Sequence, residues 1–275
     1  MAVDVVVCTY NSERFLEPCL SSIQRNVPVR NLIIVDKYSK DKTVEIAKQH
    51  SAYVFFSNCG LAEARKKSFL LVGTELFVSV DSDVVLADNW FNRIMKFWQD
   101  DIDNNGKGHI GCIWGITVDQ HPLHKAYLKA MWKLRDASGY NITHLPNMVA
   151  RRDILEDFEY PKAFDNASVA NEDIAIKRWI ESKGFKCVNA PVFSSHYSYP
   201  TLIDHKTFWY GASARLGKLV SMKSIILRCV LSVPQAIYAG LASKNARVIP
   251  YWIKFRFQVM YGYLHPTKYY NLKRN

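Results

Sequence analysis

The chain of 275 residues has no C-x-x-C pair. Its six cysteines, Cys8, Cys19, Cys59, Cys112, Cys187 and Cys229, are scattered singly, which excludes a dense disulfide scaffold and the paired ligands of a zinc ribbon and fits a reducing compartment. No basic segment or long apolar stretch precedes Val5-Val6-Val7, so no secretory leader is read there and a cytoplasmic location is expected. No G-x-G-x-x-G follows an apolar strand. Gly211 to Lys218 has five residues between its glycines and Leu219 after the lysine, so it is no P-loop. G-x-S-x-G and H-E-x-x-H are missing as well. Long uncharged runs are equally scarce. The run that bears on membranes, Cys229 to Ser243, has 15 residues and contains Pro234 and Gln235. As a helix it would reach about 22 Å against a hydrocarbon core of about 30 Å, so no spanning helix is predicted.

Acidic residues are almost missing from one end. Residues 201 to 275 hold 12 Lys and Arg against a single acid, whereas residues 1 to 200 hold 24 of each sign. The whole net charge of +11 therefore sits in the last 75 residues. This pattern describes a neutral binding or catalytic region with a basic tail, and no nucleic-acid partner is expected.

What is present is alternation. Residues 3 to 8 and 32 to 35 are β-branched apolar runs, and Leu16, Leu20 and Ile23 recur between them at helical spacing, which reads as strand, helix, strand. Helices over 42–50 and 62–72 and strands over 53–56 and 76–80 continue the pattern, which calls for a parallel sheet with helices on both faces and ligands at the carboxyl ends of its strands. After Asp81 the expected order is a helix over 90–99, a polar loop over 100–107, a strand over 110–118, a helix over 124–137, a helix over 172–183 stopped by Gly184, a strand over 185–189, and two or three helices beyond residue 201.

The sharpest motif is Val80-Asp81-Ser82-Asp83-Val84, with two carboxylates where an apolar strand enters a loop. Hard oxygen ligands so placed suit Mg2+ or Mn2+ holding a diphosphate, although a solvated turn can carry the same tripeptide. Around it stand Val7-Cys8-Thr9-Tyr10-Asn11-Ser12, Val35-Asp36-Lys37-Tyr38-Ser39-Lys40-Asp41-Lys42-Thr43, Asn58 to Ala64-Arg65, and Asn171-Glu172-Asp173. Together these resemble the GT-A glycosyltransferases of family 2 over roughly residues 3 to 200. That family ends its first strand in Thr/Ser-Tyr/Phe-Asn, its second in Asp-Asp-Gly-Ser-Thr-Asp and its fourth in Asp-x-Asp, and opens a later helix with Glu-Asp. Lys37 and Tyr38 stand where the family usually has Asp and Gly, and Lys66 where it has Asn.

The resemblance implies a GT-A, Rossmann-like α/β catalytic domain over residues 1–200, followed by a basic, aromatic helical extension over 201–275. It assigns Thr9, Tyr10, Asn11 and Asp36 to the nucleotide, Arg65 to its base or diphosphate, and Asp81, Ser82 and Asp83 to ribose, diphosphate and metal. His196 completes the metal set. The donor is a nucleotide sugar, the acceptor a glycan or a polyprenyl-linked molecule, and the transfer inverting. Asp173 is the expected general base and Glu172 its catalytic neighbour, although Asn171-Glu172-Asp173 is also what a capped helix start looks like. Asn147 is a further acceptor-site candidate, and Trp114 and Trp132 are candidates to stack on a sugar. In the tail, aromatics interleaved with Lys and Arg suit peripheral contact with an anionic membrane surface at its inner face, through helices over 224–243 and 247–264. A retaining transferase and a non-catalytic nucleotide-sugar or membrane-binding protein stand as alternatives.

Overall fold

The β-branched runs pair as their alternation with helices requires. In a computed structural model of the protein, which describes residues 1–105, 108–136, 146–160, 172–197, 203–218 and 220–270, β1 (Val3–Thr9), β2 (Val29–Asp36), β3 (Tyr53–Phe56) and β4 (Leu76–Asp81) are parallel neighbours. The segments between them form α1 (Glu13–Asn26), α2 (Thr43–Gln49) and α3 (Leu61–Leu70). The helical stripe of α1, Leu16, Cys19, Leu20 and Ile23, is buried in one core with Val5, Val7, Ile34 and Val78. Burying each large aliphatic side chain contributes roughly 1.5–3 kcal/mol, which ties the helix to the sheet.

The strand order is β3-β2-β1-β4, continued by residues 147–151, 110–119, 186–196 and 84–85. It reverses direction beside β1, and in such sheets the ligand crevice opens at the carboxyl edge of that point. Register brings the motifs to that edge: Thr9 lies opposite Asp36, and Cys8 opposite Asp81.

Beyond Asp81 the sheet turns antiparallel. β5 (Val84–Val85), α4 (Trp90–Asn105), β6 (Ile110–Asp119), β7 (Asn147–Arg151), α6 (Arg152–Leu155), α7 (Glu172–Ser182) and β8 (Lys186–His196) follow. β7 runs antiparallel to both β4 and β6, and β5 antiparallel to β8. Two elements exceed the sequence expectation. The helix α4 continues through the polar residues expected to loop, because Gln99 Nε2 reaches Asp103 Oδ1 at 2.8 Å and Asn104 Nδ2 donates to the Asp100 carbonyl at 2.7 Å. Within the same stretch Asp101 accepts the amides of His109 and Ile110 and so leads the chain into β6. Strand β8 runs on past Asn189 because Ala190, Val192 and Ser194 keep a buried period of two. At the stop of α7, Gly184 adopts φ 85°, the left-handed turn the sequence predicts.

The chain divides into two compact units, Met1–Val118 with Asn141–Glu159 and Ile176–Tyr197, and Asp119–Tyr140 with Tyr160–Ala175 and Ser198–Asn275. The second holds α5 (Pro122–Asp136), α8 (Ile203–Leu216), α9 (Met222–Ala242), α10 (Val248–Leu264) and α11 (Pro266–Tyr270). Whereas the sequence suggests a division near residue 200, α5 joins the C-terminal helices. Its Tyr127, Ala130 and Met131 share a core with Ala236 and Ala239 of α9 and Val248 and Trp252 of α10, and Tyr127 stacks on Trp252 with ring centroids 3.5 Å apart. All six cysteines are free thiols.

Candidate functional site

The turn after β1 and the turn after β2 are locked together by one buried carboxylate. Asp36 is fully buried. It accepts the Thr9 hydroxyl at 2.7 Å, the Ser39 amide at 2.7 Å and the Ser39 hydroxyl at 2.6 Å. A buried carboxyl group requires such saturation. Asn11, at φ 47°, receives no steric benefit from glycine but ties itself down: its amide donates to Ser39 Oγ at 2.8 Å and its Oδ1 accepts the Lys40 amide at 3.0 Å. Asp41 supports the same turn. Burial pushes its carboxyl up, but hydrogen bonds from Thr43 and from the Glu13 amide outweigh this and hold it below the usual range. Asp36→Ala removes the acceptor of three donors, so it is expected to lower stability by roughly 3 kcal/mol, read as a fall in the urea midpoint at unchanged slope.

The end of β4 is built on a buried cation. Arg65 of α3 is 2% exposed, and its guanidinium donates to Asp81 Oδ1 at 2.8 Å. Beside this pair, burial pushes the Cys8 thiol up to about 12, against the opposing pull of Arg65, and it stays neutral. The Asp81 side chain remains about a third exposed.

Two residues further on, the short β5–β8 pairing sets Val84 opposite His196. The pairing brings His196 Nε2 to 3.3 Å from Asp83 Oδ2, and the Tyr197 amide donates to the Asp83 carbonyl at 2.9 Å. Ser82 meets Ser12 hydroxyl to hydroxyl at 3.0 Å, and the Ser12 amide donates to Thr43 Oγ1 at 2.7 Å. Ser12 thus joins all three turns, a role that its place in the quoted Tyr-Asn-Ser segment does not reveal. Tyr10 lies exposed with the Lys37 ammonium 5.5 Å from its ring centre.

The structure therefore gathers Thr9, Tyr10, Asn11, Asp36, Arg65, Asp81, Ser82, Asp83 and His196 within the first unit. Glu172 and Asp173, at the start of α7, belong to the second. Glu172 is buried, and Asp173 Oδ1 accepts the Ile174 amide at 2.9 Å. Asn171 lies outside the described residues. The acceptor candidate Asn147 is fully buried and accepts the Trp90 indole N–H at 3.2 Å, and Trp114 is fully buried. Both are packing residues, because no ligand reaches a side chain sealed in the sheet. The ring of Trp132 lies outside the described residues. Among the described residues no three or more His, Cys, Asp or Glu side chains converge as a closed metal cluster.

This chain edge carries the signature of a known family. The model of glycosyl transferase family 2 matches residues 4–158. The chain belongs to that family. EpsH of Bacillus subtilis (strain 168), a protein named as a glycosyltransferase, is 24% identical over 219 residues, 71% of this chain and 60% of EpsH. The chain thus spans about three-fifths of the length of that curated relative. Among solved structures, glucosyl-3-phosphoglycerate synthase from Mycobacterium tuberculosis in complex with Mn2+, uridine-diphosphate and glucosyl-3-phosphoglycerate aligns with TM-score 0.53 at 18% identity, over 78% of each chain. The same synthase with Mn2+, UDP-glucose and phosphoglyceric acid aligns with TM-score 0.54 at 17% identity, over 80% of this chain and 81% of the synthase. These likenesses establish the GT-A fold.

For a family 2 chain, the departures at Lys37 and Tyr38 are accommodated rather than idle. Tyr38 adopts φ 53° at the position where the family usually has glycine, a conformation that costs a bulky residue of order 1–2 kcal/mol. Its ring stacks on Phe56 at 5.3 Å, which offsets part of that cost.

Proposed function

We propose that this family 2 chain is an inverting glycosyltransferase that moves a sugar from a nucleotide-diphosphate sugar to a glycan or polyprenyl-linked acceptor. One observation carries the reading: the saturated Thr9–Asp36 lock, the Arg65–Asp81 pair and the Asp83–His196 pair meet at the carboxyl edge where the strand order reverses. Thr9, Asn11 and Asp36 frame the nucleoside, with Tyr10 beside them as an exposed ring for the base. Arg65 stays with Asp81 and keeps positive charge next to the diphosphate.

A divalent cation fits this donor set. A carboxylate and an imidazole lie side by side at Asp83 and His196, and Mg2+ or Mn2+ commonly takes one or two protein oxygens with substrate phosphates and water completing the shell. Asp83 and His196 would hold it, with Asp81 adjacent. Held by these residues, a divalent cation would supply positive charge against the leaving diphosphate. The acceptor hydroxyl attacks the anomeric carbon from the face opposite the nucleotide while Asp173 takes its proton. The bond between the anomeric carbon and the diphosphate oxygen breaks, and its electron pair leaves with the diphosphate. Glu172 supports the base at the helix start. The solved synthases were crystallised with Mn2+ or Mg2+ and uridine-diphosphate, which supports the cation and a nucleoside diphosphate as ligands here. The basic, aromatic C-terminal helices meet an anionic membrane surface on its cytoplasmic side.

Thermal-shift titration with UDP, GDP, CDP and dTDP, each with and without Mn2+, tests the donor site. At about 100 times Kd, a nucleotide adds about 2.7 kcal/mol. One nucleotide should raise the melting temperature in a cation-dependent way that Asp83→Ala abolishes. No shift with any of the four would overturn the reading. Anomeric configuration of the product by NMR separates inversion from retention.

A further inference from the structure

The helix α9 has its polarity reversed. After Ile225 in its first turn, its buried stripe is small or polar, Cys229, Ser232, Ala236, Ala239 and Gly240, while Ile226, Leu227, Val230, Leu231, Ile237 and Leu241 are all more than two-fifths exposed. At 3.6 residues per turn these six residues form one stripe about 140° wide running from Ile226 to Leu241. A helix on a water-soluble surface places its large apolar residues inward and its small polar ones outward. Large contiguous apolar faces exposed to water are uncommon on soluble monomers and mark interaction sites.

Small residues inward and large aliphatic residues outward are what helices do when the medium around them is hydrocarbon, because only close packing then favours helix on helix. The neighbouring helices pack in the same manner. Gly211 of α8 and Gly262 of α10 touch backbone: a Cβ on either would lie 1.9 Å from the carbonyl oxygen of Val259 or Phe208. Length agrees as well. The helix α9 has 21 residues, about 31 Å, and only a third of its apolar window is buried. The helix begins seven residues before Cys229, and that first stretch carries exposed Lys223 and Arg228, the latter beside the apolar stripe rather than on it. Exposed Lys223 stands near its start and exposed Lys244 just past its end, where cationic side chains meet lipid phosphates.

We infer that α9 is embedded in the hydrocarbon layer of a membrane through this outer face, rather than resting at the headgroups. The inference deepens the membrane-surface reading above and stands apart from the sugar chemistry. Its occupant is lipid acyl chain: a purely electrostatic partner would need the lysines but not the aliphatic stripe between them.

Sedimentation of the full chain with phosphatidylcholine vesicles, with and without phosphatidylglycerol, tests it at low salt and at about 1 M NaCl, where the screening length falls to about 3 Å. Binding to both vesicle types that survives high salt is expected. Val230→Lys combined with Leu241→Lys alters only exposed positions, so near-UV circular dichroism should be unchanged, yet the partition coefficient should fall about 100-fold or more. Binding confined to anionic vesicles and released by salt would overturn embedding and leave surface attachment standing. Unchanged binding of the double variant would likewise overturn embedding. No binding to either vesicle, with a dimer by light scattering, would overturn both and assign the face to a second copy of the chain.

Discussion

Asp173→Asn is expected to lower kcat for sugar transfer by about 100- to 10,000-fold, the range for losing a positioned general base, with nucleotide affinity intact. The substitution is close to isosteric, and the amide oxygen of asparagine can still accept the Ile174 N–H that Asp173 Oδ1 now accepts at 2.9 Å. The start of α7 therefore persists, and what is lost is the ability to hold a proton. Steady-state rates measured beside the nucleotide thermal shift separate the two roles of this residue. A variant with wild-type kcat would mean that Asp173 serves the helix start alone, and a variant that loses nucleotide binding as well would place it in the donor site.

Gly211→Val and Gly262→Val are expected to cost more than about 3 kcal/mol each, above the usual range for overpacking. Overpacked sites are usually relieved by a neighbouring side chain that swings away. Here the atoms in the way are the Val259 and Phe208 carbonyl oxygens, 1.9 Å from the added Cβ, and a helix backbone cannot yield without parting α8 from α10. Thermal melts followed by near-UV circular dichroism, in mild detergent, should show an early loss of the second unit. Gly184→Ala provides the contrast. A Cβ there meets nothing within 4 Å and bears only the strain of φ 85°, so it should cost about 1 kcal/mol. Similar costs for all three would show that α8 and α10 are not held by backbone approach.

Much of the first unit was legible because its signals are local. The runs at 3–8 and 53–56 become β1 and β3, the stripe Leu16, Leu20 and Ile23 becomes the buried face of α1, and Thr9, Asp36 and Asp81 all emerge at strand ends. Register between parallel strands then carries these ends to one edge, so a linear motif set maps onto one compact cluster at the sheet's carboxyl edge. The polar run at 100–105 misleads for a related reason: polarity reports exposure, and an exposed segment can remain helical when its side chains close the next turn.

By itself, then, the sequence determined the strand and helix alternation, the family, and the residue types at the carboxyl edge of the sheet, since β-branched runs, helical spacing and motif order are properties of neighbours along the chain. Only the tertiary structure decided that Asp83 meets His196, because a two-residue strand pairing with a partner over a hundred residues away leaves no periodic trace. It also decided that Arg65 is sealed under Asp81 and that α5 packs with the C-terminal helices. The same holds for α9. Its sequence shows an apolar helix with small residues on one side, but which side faces protein depends on what packs against it, and the packing turned the small side inward.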